Sequence, residues 1–89
     1  MTKEEYEVYY QALNKWGAES QIKMLFEEMA ELQNAICKYF RKRNNMYDVA
    51  TEIADVQIMA EQMSILFGKE LVNSEKERKF ERIKKRLGT

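Results

Sequence analysis

The chain has 89 residues, enough for one domain whose core is thin, because a fold of this size buries only about 60–65% of its unfolded surface. Fifteen basic and fifteen acidic residues cancel, so the whole molecule has no net field to draw in nucleic acid or an anionic membrane. One cysteine excludes an internal disulfide, no zinc-ligand cluster is present, and oligomerisation is the expected source of additional stability.

With no proline, three glycines and 34% charged residues, the composition favours long helices over a sheet. Four are predicted. The first runs from about Lys3 to Lys15; Thr2 followed by Glu5 is a capping-box signature, and Gly17 breaks the pattern. The second runs from about Ala18 to Arg43, with Ile22, Leu25, Phe26, Met29, Leu32, Ile36 and Phe40 as its apolar stripe. Asn44 and Asn45 end it, since asparagine competes with helix and tolerates the left-handed conformation. Cys37 falls within this helix and is expected to be a buried structural thiol.

The third runs from about Met46 to Phe67, with Val49, Ile53, Val56, Ala60, Met63 and Phe67 on one face and Gly68 at C′. The fourth is expected from about Ser74 to Leu87, opened by a second capping box (Ser74 and Glu77) and carrying Phe80, Ile83 and Leu87. Two long helices joined by a few residues lie antiparallel. The expected fold is therefore all-α and four-helix-bundle-like: an antiparallel hairpin of the second and third helices, flanked by the other two. Nothing resembles a signal peptide or a span of about 20 apolar residues, which predicts a cytoplasmic protein with no membrane partner.

The carboxylates on the two central helices are unusual. Glu28 and Glu31 are three residues apart on the second helix, and Glu52 and Asp55 are three apart on the third. Each pair projects from one side of its helix and borders an apolar stripe. In an antiparallel hairpin the interval from Glu31 to Glu52 lets the two pairs face each other at similar depth. Four carboxylates so placed repel, and leaving them ionised without compensation costs several kcal/mol. No basic residue lies close to them in the local sequence. Hard oxygen ligands of this kind suit Mg²⁺ or Mn²⁺. The chain has no histidine, which argues against a di-iron bundle built on Glu-x-x-His pairs. The alternative is that both pairs lie on solvated helix faces.

Glu27-Glu28-x-x-Glu31, a gap, and Glu52-x-x-Asp55 resemble the signature of the MazG-like all-α nucleoside triphosphate pyrophosphohydrolases. Trp16-Gly17 and Gln21 before the motif, Ala30-Glu31-Leu32 within it and Ala54-Asp55-Val56 after it extend the resemblance over about residues 12–87. It implies a Mg²⁺-dependent hydrolase that splits a nucleoside triphosphate into monophosphate and pyrophosphate. Glu28, Glu31, Glu52 and Asp55 would ligate the metal, and Glu27 would be a further carboxylate that helps orient or deprotonate the attacking water. Trp16, Gln21 and Asn34 are candidates for holding the base. The size is that of the short, single-module members, and the resemblance implies a homodimer or homotetramer with sites near subunit boundaries.

The last helix is rich in bases. Asn73, Lys76, Lys79 and Arg82 are candidate phosphate contacts, and the three cations recur every third residue. A solvated helix face with bases favourable toward its C-terminal end accounts for them equally well. Nucleic-acid binding is not expected, given zero net charge and no recognition motif. Tyr6, Tyr9 and Tyr10 crowd the first helix as packing or interface residues. The competing functional class is a non-catalytic helical module for nucleotide sensing or oligomeric interaction.

Overall fold

A computed structural model describes residues 1–88 and is all-α: α1 (Lys3–Trp16), α2 (Ala18–Phe40), α3 (Met46–Phe67) and α4 (Lys69–Arg86), with no strand among the described residues. The capping box of α1 is formed. Thr2 Oγ1 accepts from the Glu5 N–H at 3.0 Å, and the Thr2 N–H donates to Glu5 Oε1 at 2.7 Å. Gly17 alone separates α1 from α2; at φ 86° and ψ 150° its backbone conformation suits a residue without Cβ.

α2 stops at Phe40, three residues before the expected Arg43. A Schellman closure ends it. The Arg43 N–H donates to the Lys38 carbonyl at 2.9 Å, and the Lys42 N–H to the Tyr39 carbonyl at 3.0 Å. The left-handed residue is Lys42, at φ 58°, and neither asparagine takes that role. Asn44 instead donates from Nδ2 to the Ala35 carbonyl at 3.0 Å, and Asn45 caps α3 by accepting from the Asp48 N–H at 3.0 Å. α4 begins at Lys69, directly after Gly68, so Ser74 and Glu77 lie inside the helix and form no capping box. Gly68, at φ 122°, makes the whole bend, and Lys69 to Asn73 contain no breaker that would delay the helix.

α2 and α3 form the hairpin and share the most extensive contact in the fold; α1 lies against both, and α4 packs on α3. The buried residues are few: Tyr9, Gln21, Ala35, Met59, Gln62 and Met63. Tyr9 fastens α1 to α3 by donating its hydroxyl to Glu61 Oε2 at 2.9 Å, and burial with that bond pushes its pKa up to about 12. Gln21 and Ala35, the buried positions of α2, are fourteen residues apart, which the half-buried Glu28 bisects. That seven-residue spacing keeps all three on one side of α2.

Cys37 lies about 200° around the helix from Ala35 and is exposed, contrary to the expected buried thiol. For the same reason Phe26 and Phe40 of the expected stripe point outward, Phe40 with 80% of its surface exposed. No residue of α4 is buried, and its Phe80, Ile83 and Leu87 are all exposed. The chain exposes 7277 Å², where a folded monomer of this mass exposes about 5,500 Å². Its radius of gyration is 15.6 Å, where a compact chain of this length has about 12 Å. Among the described residues, no helix is long and apolar enough to cross a membrane.

Candidate metal centre

The antiparallel hairpin brings Glu28 and Glu31 of α2 opposite Glu52 of α3. One carboxylate oxygen from each of these three lies within 4.8 Å of the others. Asp55 lies outside that trio, yet its charge acts on both Glu28 and Glu52. Glu28 and Glu52 are half-buried, whereas Glu31 and Asp55 are exposed. Burial is the main cause that raises the Glu28 carboxyl above its ordinary value, followed by the charges of Asp55, Glu31 and Glu52. The Glu52 carboxyl is likewise raised, first by burial and then by Glu31 and Asp55.

Two oxygens of this cluster, Glu28 Oε2 and Glu52 Oε2, are buried and have no hydrogen-bond partner. No lysine or arginine forms an ion pair with any of the four acids among the described residues. The donor set is all oxygen, from carboxylates alone. It fits a hard divalent cation such as Mg²⁺ or Mn²⁺ and is a poor match for zinc. An ion there would supply the partner that the two buried oxygens lack.

The remaining candidates fall in other places. Glu27 is outside the trio, although it lies one turn before Glu31; it lines an open cleft of about 500 Å³ with Trp16, Gly17, Ser20 and Lys23. Trp16 is exposed there, with the Lys15 Nζ 5.5 Å from its ring centroid. Gln21 is only 6% exposed and belongs to the packing of α2. Asn34 is parted from Trp16 and lines a cavity that it shares with Glu31 and Glu52. Asn73 and Lys76 line a separate cleft between α3 and α4, beside Gln57, Glu61 and Ser64. Gln57 lies about 200° around α3 from Asp55, so this cleft opens away from the acidic face. Lys79 flanks an apolar groove on α4 with Phe80 and Ile83, and Arg82 is exposed on the same helix.

Comparison with known proteins yields no match: no protein-family model matches the chain, and no curated protein or solved structure does. The polar residues that the sequence reading missed are Lys38, Arg43, Asn44, Asp48 and Thr51, which wall the cavity beside Glu31 and Glu52. A signal for one of them exists, since Lys38 follows Glu31 by seven residues and therefore shares its face. Arg43 and Asn44 gave none, because a turn places them.

Proposed function

We propose that this protein is a Mg²⁺-dependent hydrolase that cleaves nucleoside triphosphates to monophosphate and pyrophosphate, like the MazG-like enzymes its motif resembles. The observation that carries the reading is the convergence of Glu28, Glu31 and Glu52 with two buried, unpartnered carboxylate oxygens. Uncompensated burial of this kind costs stability, and a site that binds a cation recovers that cost on loading. Glu28, Glu31 and Glu52 would hold the ion, with Asp55 beside them. A bound Mg²⁺ supplies Lewis-acid polarisation of the phosphoryl oxygens and a water of lowered pKa.

The chain's own part is positioning and charge. The carboxylates repel a bare triphosphate, so productive binding is restricted to its metal complex. Water forms the new bond at the α-phosphorus. The α–β bridging oxygen leaves with its bonding pair as pyrophosphate, and a water proton passes to solvent by way of nearby carboxylates. The Trp16 cleft offers an aromatic face for the base. The test is a panel of ribo- and deoxyribonucleoside triphosphates with Mg²⁺. Pyrophosphate is the expected product. Orthophosphate as first product rejects attack at the α-phosphorus, and no product from any of them favours the non-catalytic interaction module.

The active form in this proposal is a homodimer or homotetramer. The exposed surface exceeds that of a compact monomer by about 1,800 Å², and a standard interface removes only about 800 Å² per partner. The uncovered Phe80, Ile83 and Leu87 are the natural contact, and they would bring Lys76, Lys79 and Arg82 toward a neighbour's acidic face. Light scattering should give at least twice the chain mass, and Phe80→Ser with Ile83→Ser should lower it. An active wild-type monomer rules the assembly out.

A further inference from the structure

The turn end of the hairpin holds a cavity of about 290 Å³ whose wall carries both signs of charge. Glu31, Glu52 and Asp48 contribute acids, the last of them tied to the Asn45 N–H, and Lys38 and Arg43 contribute cations. Lys38 stands two turns beyond Glu31, about 10 Å along the axis. Helical side chains lean back toward the N-terminus of their helix, which for Lys38 is the direction of Glu31.

The turn fixes Arg43 in place. Its N–H donates to the Lys38 carbonyl at 2.9 Å, and the next residue, Asn44, is tied to the Ala35 carbonyl at 3.0 Å. These bonds fix the backbone from which Arg43 projects, and both Lys38 and Arg43 line the cavity. Neither forms an ion pair among the described residues, although both line the same cavity as the carboxylates. A lysine in the last turn of a helix suits the macrodipole, but that effect says nothing about Arg43, which lies beyond the helix. Unpaired cations next to an acidic cluster suit a ligand that presents a metal ion to one wall and anionic oxygens to the other.

We propose that Lys38 and Arg43 bind the terminal phosphates of a metal-bound polyphosphate, and that in turnover they hold the departing pyrophosphate. The identity of the ligand rests on the pyrophosphohydrolase reading. The Arg43 guanidinium is a planar fork that matches two phosphoryl oxygens, and Lys38 supplies a point charge. Negative charge grows on the pyrophosphate as the α–β bond breaks, and both cations stabilise it there.

Calorimetry with inorganic pyrophosphate and Mg²⁺ tests this without requiring turnover. Lys38→Gln and Arg43→Gln should each weaken pyrophosphate binding about tenfold or more. Affinity for nucleoside monophosphate and the helical circular dichroism should not change, and Arg43→Lys should restore part of the loss. Arg41→Gln removes the same charge from a neighbouring residue outside the cavity and should have little effect. Unchanged affinity in both glutamine variants overturns the proposal, as does an equal loss in Arg41→Gln or a wild type that does not bind pyrophosphate. If the wild type cleaves triphosphates while these variants keep their affinity, only this inference falls. If it binds pyrophosphate through Lys38 and Arg43 yet cleaves nothing, the hydrolase reading falls and the polyphosphate site stands.

Discussion

The inner face of the α2–α3 hairpin and the surface of α4 hold their carboxylates in opposite ways. On α4, Glu75 accepts from Arg78 Nε at 2.8 Å and pairs with its Nη2 at 2.7 Å, and Arg78 holds the Glu75 carboxyl below its ordinary value. Lys84 sits 3.6 Å from Glu81 in the same i, i+3 manner. Pairs like these are solvated and contribute little. On the hairpin, Glu28 and Glu52 have no cation partner, each has one buried oxygen without a hydrogen bond, and both carboxyls are raised. The difference teaches that acidity alone does not mark a site. On α4, Glu75 and Glu81 meet cations one turn away, whereas among the described residues the hairpin's Glu28 and Glu52 meet none.

Substitution at one acid from each region tests this contrast most strongly. Glu52→Gln should lower the rate of pyrophosphate release at least about 100-fold, as loss of a metal contact does, while Glu75→Gln should leave it unchanged. Circular dichroism should be the same for both. Comparable rates in the two variants would erase the distinction between the regions.

Metal binding gives the next largest effect. Mg²⁺ at about 100 times its dissociation constant should add about 2.7 kcal/mol, which for a domain of this size raises the melting temperature by about 10–20 °C. Asp55→Asn should shrink that shift, and an equal shift would show that the ion binds elsewhere.

A third effect concerns pH in metal-free protein. A carboxyl raised in the fold keeps its proton where the unfolded chain has lost it, so stability falls as pH rises above the ordinary value of 4.5. The melting temperature should therefore climb as pH is lowered from 7 toward 4.5. Below 4.5 the trend should reverse, because Glu5 and Glu75, whose values are lowered, then lose their favourable contacts. In Glu52→Gln the climb should be shallower; an unchanged slope would mean that neither burial nor the neighbouring acids raise Glu52.

The smallest effect separates a true cap from an apparent one. Asn45→Ala should destabilise by about 1 kcal/mol, since Asn45 caps α3, whereas Ser74→Ala should change stability by less than about 0.5 kcal/mol. Chemical denaturation of both variants reads the difference, and an equal cost would place a helix start at Ser74.

Much of the fold was legible because its signals are local. Thr2 with Glu5 marked the start of α1, Gly17 and Gly68 marked the breaks, and two apolar runs divided by a short polar turn implied the hairpin. The acidic trio was legible as well, because i, i+3 spacing holds on any helix and the hairpin does the rest. Expectations failed where a local pattern was read without its surroundings, as with Phe40, which lies in the helical stripe of α2 yet is 80% exposed. Ser74 and Glu77 have the spacing of a capping box, yet a helix that starts at Lys69 leaves them nothing to cap. Cys37 is apolar and helical, yet it faces away from Ala35.

By itself the sequence determined the helix content, the two glycine breaks and the one-sided placement of the four carboxylates, because each depends on residues within a turn or two of one another. Only the tertiary structure decided that Glu28, Glu31 and Glu52 meet within 4.8 Å, and that Glu27 turns into the Trp16 cleft. It also put Asn34 with Lys38 and Arg43, and directed Asn73 and Lys76 into a cleft on the far side of α3. The reason is geometric. Helical periodicity states which residues share a face, but the rotation of each helix about its axis is set by the packing of Gln21, Ala35, Met59 and Met63, and that rotation decides which faces meet.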